Sequence, residues 1–397
     1  MVGLVAPSCN PKEYNCEQTI ILARANHCAN LMVQITLPFV PWGTFQMYAN
    51  MSNSVAKSDL PVLDTRSDTV TKPTAEMRAY MMDAEVGDDV YGEDPTINAL
   101  EEKAAALLGK EKGLFLPSST MSNLAAMLSH TKRGEEIIVG KGYHIFKYEA
   151  GGSSVAGGTF PYPLDVASDG ALEPSDIEAA VKVDDPHFPI SRILSLENTH
   201  SGQAVSMDRT NAALDVADKH GLTKHLDGAR LFNAAEKLSV PVAEIAKRFD
   251  SVNICLSKGL GAPVGAILAS DSKTIAAALR WRKMLGGGMR QAGLLASAGI
   301  YALDNHVNRL GDDHKRAAVL AKELSAIDRF KVTFQDNQTN MLFIEPVEAE
   351  VESLRQHLAE RGINLAGGDY IRIVAHIDID DDGVTRIVDG FKSFYAN

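Results

Sequence analysis

From residue 64 to about residue 285 the chain alternates short apolar runs with helical segments, and most of the runs end in a cluster of polar residues. GLFLPSST (113–120), EEIIVG (135–140), RILSLENTH (192–200), KHLDGAR (224–230), SVNICLSKG (251–259) and GAILAS (265–270) read as strands. INALEEKAAALLG (97–109), MSNLAAMLSHT (121–131), MDRTNAALDVADKHG (207–221), PVAEIAKRF (241–249) and KTIAAALRWRKML (273–285) space their apolar residues for helices. Strands separated by helices require βαβ units and a largely parallel sheet. Such sheets bind ligands beyond the carboxyl ends of their strands. The clusters SST, ENTH, DGAR and SKG all fall at those ends.

Past residue 305 the pattern changes. The helix DDHKRAAVLAKELSAI, the strand-like FKVTF and NMLFIEP, the helix VEAEVESLRQHLAERG and the strand IRIVAHI predict a compact α+β unit. The expected organisation is a large α/β domain over 61–305 and a small C-terminal domain over 306–397. Residues 1–60 precede them as an atypical extension, disordered or dispensable. That extension opens with no basic, clean apolar signal, and its stretch LMVQITLPFVPWGTF is too short and too proline-broken to span a membrane. Met51 opens a polar stretch that would make a natural start.

With 397 residues the chain can bury a sizeable core. A net charge of −12 argues against binding nucleic acid, which calls for a basic patch. Of four cysteines, Cys9, Cys16 and Cys28 lie in the extension, so Cys255 alone remains in the body. A body without a disulfide framework fits a reducing compartment, and the expected location is cytoplasmic.

Lys258 closes an apolar strand ahead of three glycines, in NICLSKGLGAPVG. An ammonium in apolar surroundings loses solvation, and a lysine destabilised in this way becomes a Schiff-base nucleophile. Pyridoxal phosphate needs such a lysine, and a carboxylate to keep its ring nitrogen protonated. Asp227, closing the strand KHLDGAR, can supply the carboxylate, although the two residues taken alone read equally as an ion pair. The start of LPSSTMSNLAAML offers hydroxyls and helix N-terminal N–H groups to a phosphate, or an ordinary serine cap. His144 in GYHIFKYEAGGS offers a flat partner for a ring, and ENTH ends a strand with groups able to move protons, His200 among them.

In order, DTRSDTVTKPT, VGDDVYGEDPT, FLPSST, EAGG, LSLENTHSG, LDGARLFN, ICLSKGLGAPVG and WRKMLGGGMRQAG resemble the low-specificity L-threonine aldolases, over roughly residues 62–397. The resemblance implies a fold-type-I pyridoxal-phosphate enzyme cleaving L-threonine or L-allo-threonine to glycine and an aldehyde. It implies that Lys258 carries the cofactor, that the glycines after it let the backbone pass close to the ring, that Asp227 pairs with the ring nitrogen and that His144 stacks on the ring. Ser119, Thr120 and Met121 correspond to the phosphate loop. Arg230, Ser67 and Arg372 match positions that grip the substrate carboxylate. His200 matches a histidine near the substrate hydroxyl, and Tyr91 an active-site tyrosine. Arg290 matches a residue reaching a phosphate in a neighbouring subunit, within a homotetramer, a dimer of dimers with sites at the dimer interface. The base that takes the hydroxyl proton stays open between His200, His144 acting through water, and the cofactor–lysine region.

One departure stands out. The family's phosphate loop reads Gly-Thr-Gln where this chain has Ser119, Thr120 and Met121. Serine is expected to strain the turn, and methionine removes a side-chain donor and acceptor. A β-lyase or aminotransferase of the same fold, or a cofactor-binding remnant, are the alternatives; a nicotinamide oxidoreductase lacks its glycine fingerprint in GLGAPVG. HIDIDDDGV has the opening spacing of a calcium loop, yet no bidentate glutamate at its twelfth position. It reads as an acidic turn capping the last helix, and no metal is expected.

Overall fold

The structure, a computed structural model, describes residues 60–367 and 370–396, together with one antiparallel pair of two-residue strands, Thr19–Ile20 and Ile35–Thr36, in a separate N-terminal unit. The reading of residues 1–60 as an extension otherwise lies outside the described residues.

Seven strands build the large sheet: β1 (Lys112–Leu116), β2 (Glu136–Gly140), β3 (Phe160–Leu164), β4 (Ser191–Glu197), β5 (Thr223–Gly228), β6 (Ser251–Cys255) and β7 (Ala266–Ser270). They lie in the order β1-β7-β6-β5-β4-β2-β3. β7 alone runs against its neighbours β1 and β6. No helix intervenes between β6 and β7, so the chain reverses directly and the pair is antiparallel. β2, β6 and β7 are buried at every position, as strands covered on both faces should be.

β3 was not legible, because its sequence FPYPL carries two prolines. It pairs with β2 alone and so forms an edge. Pro161 and Pro163 alternate with the residues that bond β2: Phe160 N donates to Glu135 O at 2.9 Å, and Leu164 O accepts from Lys141 N at 2.7 Å. Residues two apart share one side of a strand, so both missing donors face the unpaired edge.

Three strands form the small sheet, β8 (Lys331–Thr333), β9 (Met341–Glu345) and β10 (Ile371–Val374), antiparallel throughout. The helices Leu310–Leu324, Val351–Ala359 and Asp381–Tyr395 contribute Leu320, Leu354 and Phe391 to its apolar core. Asp380 caps the last of these helices, accepting from Gly383 N at 2.8 Å, while Asp378 accepts from Lys72 N. Leu63 belongs to this second core, although the chain around it leads into the first. Leu63–Asp64 pairs in parallel with Ile363–Asn364, and Val374 N donates to Thr65 O. The segment 63–71 is thereby stitched to the C-terminal elements and runs on to Lys258.

Candidate active site

The carboxyl ends of β5 and β6 lie side by side, with Asp227 opposite Asn253 in register. Asp227 is buried and receives three N–H donors: Asn123 Nδ2 at 2.9 Å, Asn253 Nδ2 at 3.0 Å and Ala229 N at 3.1 Å. No lysine, arginine or histidine among the described residues forms an ion pair with it. A buried carboxylate held by neutral donors alone is a receptor for a cationic N–H, and this donor set fits a protonated pyridine nitrogen.

Asn123 also donates to Glu149 Oε1, which accepts from His144 Nδ1 at 2.8 Å. That hydrogen bond raises His144 above an ordinary imidazole, against the effect of burial. Burial pushes Glu149 upward in turn, and the bond from His144 pulls it back. The His144 side chain is 41% exposed, so the ring keeps an open surface. His144, Glu149 and Asp227 hold three ligand-type atoms within 4.8 Å. The carboxylate oxygens among them already accept hydrogen bonds from Asn123 or His144, which accounts for the cluster without an ion.

Glu197, at the end of β4, braces two segments at once. Its Oε1 accepts from His200 Nδ1 at 2.8 Å and its Oε2 from His144 N at 2.6 Å. A carboxylate can only accept, so Nδ1 of His200 carries the hydrogen and Nε2 of the neutral ring is left with its lone pair.

A second group surrounds Lys258, in the loop after β6. Thr71 Oγ1 donates to Lys258 O at 2.9 Å. Asp68, fully buried, accepts from Arg230 Nε at 2.7 Å and from its terminal nitrogen at 2.5 Å. Burial alone would raise Asp68. The charge and hydrogen bonds of Arg230, joined by Lys258 and His376, hold it well below the usual carboxylate range instead. Arg372 on β10 donates to Arg66 O, and burial together with the nearby Arg230 lowers it. Arg230 is thus paired with Asp68, while Arg372 bonds a backbone carbonyl and senses both of them only through space, so cations outnumber the one carboxylate around Lys258. Ser67 Oγ accepts from Thr69 N and Thr69 Oγ1, which leaves its own hydrogen available. Electrostatics link the two groups: His144 senses both Asp227 and Lys258.

The loop at 117–121 corrects an expectation. Ser118 is the extended N-cap of the helix Ser119–His130, with its Oγ accepting from Met121 N at 3.2 Å. Ser119 is thus the first helical residue and adopts no glycine-type conformation, so the strain expected of a serine there is absent. Its Oγ accepts from Asn253 Nδ2 at 2.5 Å, tying the loop to the neighbour of Asp227. Met121 packs on the glycine loop: a Cβ at Gly287 would lie 2.3 Å from its Sδ. The glycines after Lys258 answer to protein neighbours. Gly265 takes φ +108°, where a Cβ would stand 2.5 Å from Phe115.

Tyr91 and Arg290 join neither group by a hydrogen bond. Tyr91 is 75% exposed, and Arg290 pairs with Asp88 at 3.1 Å. Their loops are held together by Asp89 N donating to Arg290 O, and Asp89 itself is held by Arg282. Sequence reasoning missed Asp68, Asn123, Glu149, Glu197 as a brace, and Asn253. Only Glu197 carried a local signal, three residues before His200.

Comparison with known proteins adds the following. A family model described as beta-eliminating lyase matches residues 64–346. The low specificity L-threonine aldolase of Escherichia coli K12 is 45% identical over 335 residues, 84% of this chain and 100% of its own length. The low-specificity L-threonine aldolase 1 of Arabidopsis thaliana is 44% identical over 83% of this chain and 95% of its own. Among solved structures, Leishmania major threonine aldolase superposes with a TM-score of 0.70 at 22% identity, over 83% of this chain and 99% of its own. A Sphingomonas wittichii serine palmitoyltransferase does so at 0.69 and 16%, over 88% and 95%. These structural likenesses carry the fold alone.

Proposed function

The chain belongs to the low-specificity L-threonine aldolase family, and from that premise we propose how its own residues divide the work. It is a pyridoxal-phosphate-dependent carbon–carbon lyase that splits L-threonine. The cofactor, when bound, supplies a sink for the electron pair left as Cα–Cβ breaks.

Lys258 Nζ is the amine that anchors the cofactor aldehyde. The observation that carries the assignment is buried Asp227, held by three neutral donors with no cation of its own. It holds the proton at the ring nitrogen. His144, braced by Glu149, would supply the flat face against which the ring packs. The N–H groups and hydroxyls of Ser119 and Thr120 hold the phosphate, since Met121 N is already taken by Ser118. Arg230, Arg372 and Ser67 would hold the substrate carboxylate and so fix the orientation in which the substrate meets the cofactor. His200, with Nδ1–H given to Glu197, accepts the hydroxyl proton at Nε2. The reading extends to L-allo-threonine, in keeping with the low specificity that the names of the 44–45% identical relatives state.

The functional unit is a homotetramer whose sites lie at dimer interfaces, where Arg290 and Tyr91 serve a neighbouring copy. Exposed Val90 and Tyr91, on the loop bonded to Arg290, support that reading. Among the described residues no helix is long and apolar enough to cross a membrane. The reading of a cytoplasmic location rests on the lone body cysteine, Cys255.

Aldehyde release from L-threonine and L-allo-threonine tests the assignment, with Lys258→Ala and His200→Phe alongside. The expectation is no turnover in the first variant and a fall of about 10²–10⁴-fold in kcat in the second. An unimpaired His200→Phe would return the role of base to His144.

A further inference from the structure

From Asn123, which donates to Asp227, four fully or largely buried polar residues run in an unbroken line. Asn123 Oδ1 meets His225 Nε2 at 3.2 Å, His225 Nδ1 meets Ser251 Oγ at 2.8 Å, and Ser251 Oγ meets His130 Nε2 at 3.0 Å. Asn123, His225 and Ser251 are each 0% exposed. None of these contacts touches the substrate groups assigned above.

The direction of every hydrogen in the line follows from its ends. Glu149 and Asp227 are acceptors, so both hydrogens of the Asn123 amide face them and Oδ1 faces His225. That oxygen can only accept, so His225 carries its hydrogen on Nε2. Nδ1 is then an acceptor, filled by the Ser251 hydroxyl, whose oxygen in turn accepts from His130 Nε2. Burial holds His225 neutral, pushed down to about 3, and lowers His130 as well. No cation therefore reaches Asp227 through this line, and its negative charge is left for the cofactor.

We propose that His225 is a positioning residue: with Ser251 behind it, it locks the Asn123 amide, and through it the Asp227 carboxylate, facing the pyridine nitrogen of the cofactor. The inference rests on the placement of the ring nitrogen at Asp227. The line bears on the ring nitrogen through Asp227 and, through the other amide hydrogen of Asn123, on Glu149 behind His144, and it leaves the phosphate and aldehyde ends alone. A residue that merely supports the fold would affect all of them.

The test is equilibrium binding to apoenzyme of pyridoxal phosphate and of its deaza analogue, with ring nitrogen replaced by carbon. Wild type should prefer the natural cofactor. His225→Leu should lose about tenfold in affinity for pyridoxal phosphate, the scale of one charge-assisted hydrogen bond, and keep its affinity for the analogue. His225→Gln, which can donate to Asn123 and accept from Ser251, should bind both as wild type does. Equal losses for both ligands, no loss for either, or a Gln variant behaving like Leu would overturn the proposal. If wild type itself fails to distinguish the two ligands, the placement of the ring nitrogen is what fails, and the proposal falls with it. Should His225→Leu not fold, Ser251→Ala decides by the same criterion, with a smaller loss confined to pyridoxal phosphate.

Discussion

Replacing Asp68 with asparagine tests whether the arginine grip is built around a buried ion pair. Asp68 is fully buried and takes two N–H donors from Arg230, at 2.7 and 2.5 Å. Opposite unit charges about 4 Å apart attract by about 4 kcal/mol at an effective dielectric of 20. Removing one partner of such a pair costs about 3–5 kcal/mol, because the other charge stays buried and unpaired. Here the cost is compounded, since burial and the charge of Arg230 already lower Arg372 and Asp68 is the charge that opposes them. The asparagine amide would also turn one donor toward a guanidinium donor. Chemical denaturation of the holoenzyme at matched protein concentration should register that loss. In a double-mutant cycle, Asp68→Asn with Arg230→Gln should show a coupling above about 2 kcal/mol. The pH dependence has a definite sign. The folded value of Asp68 lies below its unfolded one, so its contribution is full above the ordinary carboxylate range and fades as pH falls through the folded value. The gap between wild type and variant should stay level from pH 8 to pH 5 and close only in stronger acid. A loss below about 1 kcal/mol at neutral pH, or a gap that opens on acidification, would refute the reasoning.

Ser119→Gly restores the family's glycine, yet it should cost about 0.5–1 kcal/mol and leave cofactor affinity no tighter, because Ser119 is already helical and bonded by Asn253; melting curves and a pyridoxal phosphate titration check this. Gly287→Ala should destabilise by about 1–3 kcal/mol through the collision with Met121 Sδ, and adding Met121→Ala should recover most of it in the same melts. Glu101 is half-buried against the strand Lys112–Leu116, and burial pushes it up to about 7 even though Phe115 N donates to it. A carboxyl whose folded value is raised costs stability as pH rises from its unfolded value through 7. Glu101→Gln should therefore stabilise the protein at pH 8, by up to about 3 kcal/mol, and change little at pH 4.5.

The strand ends that carry the site were legible because each apolar run stopped on an uncommon polar group: Asp227, Lys258, Glu197. Residues that act through these were hidden by distance. Asn123 and Asp227 are 104 positions apart, and Asp68 and Arg230 are 162 apart. No local pattern marks which distant side chain completes a buried hydrogen bond. β3 escaped because proline weighs against a strand until the neighbouring strand shows which edge is unpaired. Ser119 was misjudged because a residue opening a helix looks, in sequence, like one inside a turn. The deciding detail was that Ser118, one place earlier, takes the cap. His225 read as one polar residue of a short strand, and only the burial of Ser251 and Asn123 on either side of it gives it a role.

The claim on which the rest depends is that Lys258 is the residue that bonds the cofactor. Pyridoxal phosphate would be added to the purified chain, the bond reduced with borohydride, and the digested protein mapped by mass spectrometry. A single pyridoxyl group is expected on the peptide containing Lys258, blocked when glycine is present before reduction and missing in Lys258→Ala. A label on another lysine, or none on a wild-type chain that releases aldehyde from L-threonine, would contradict it.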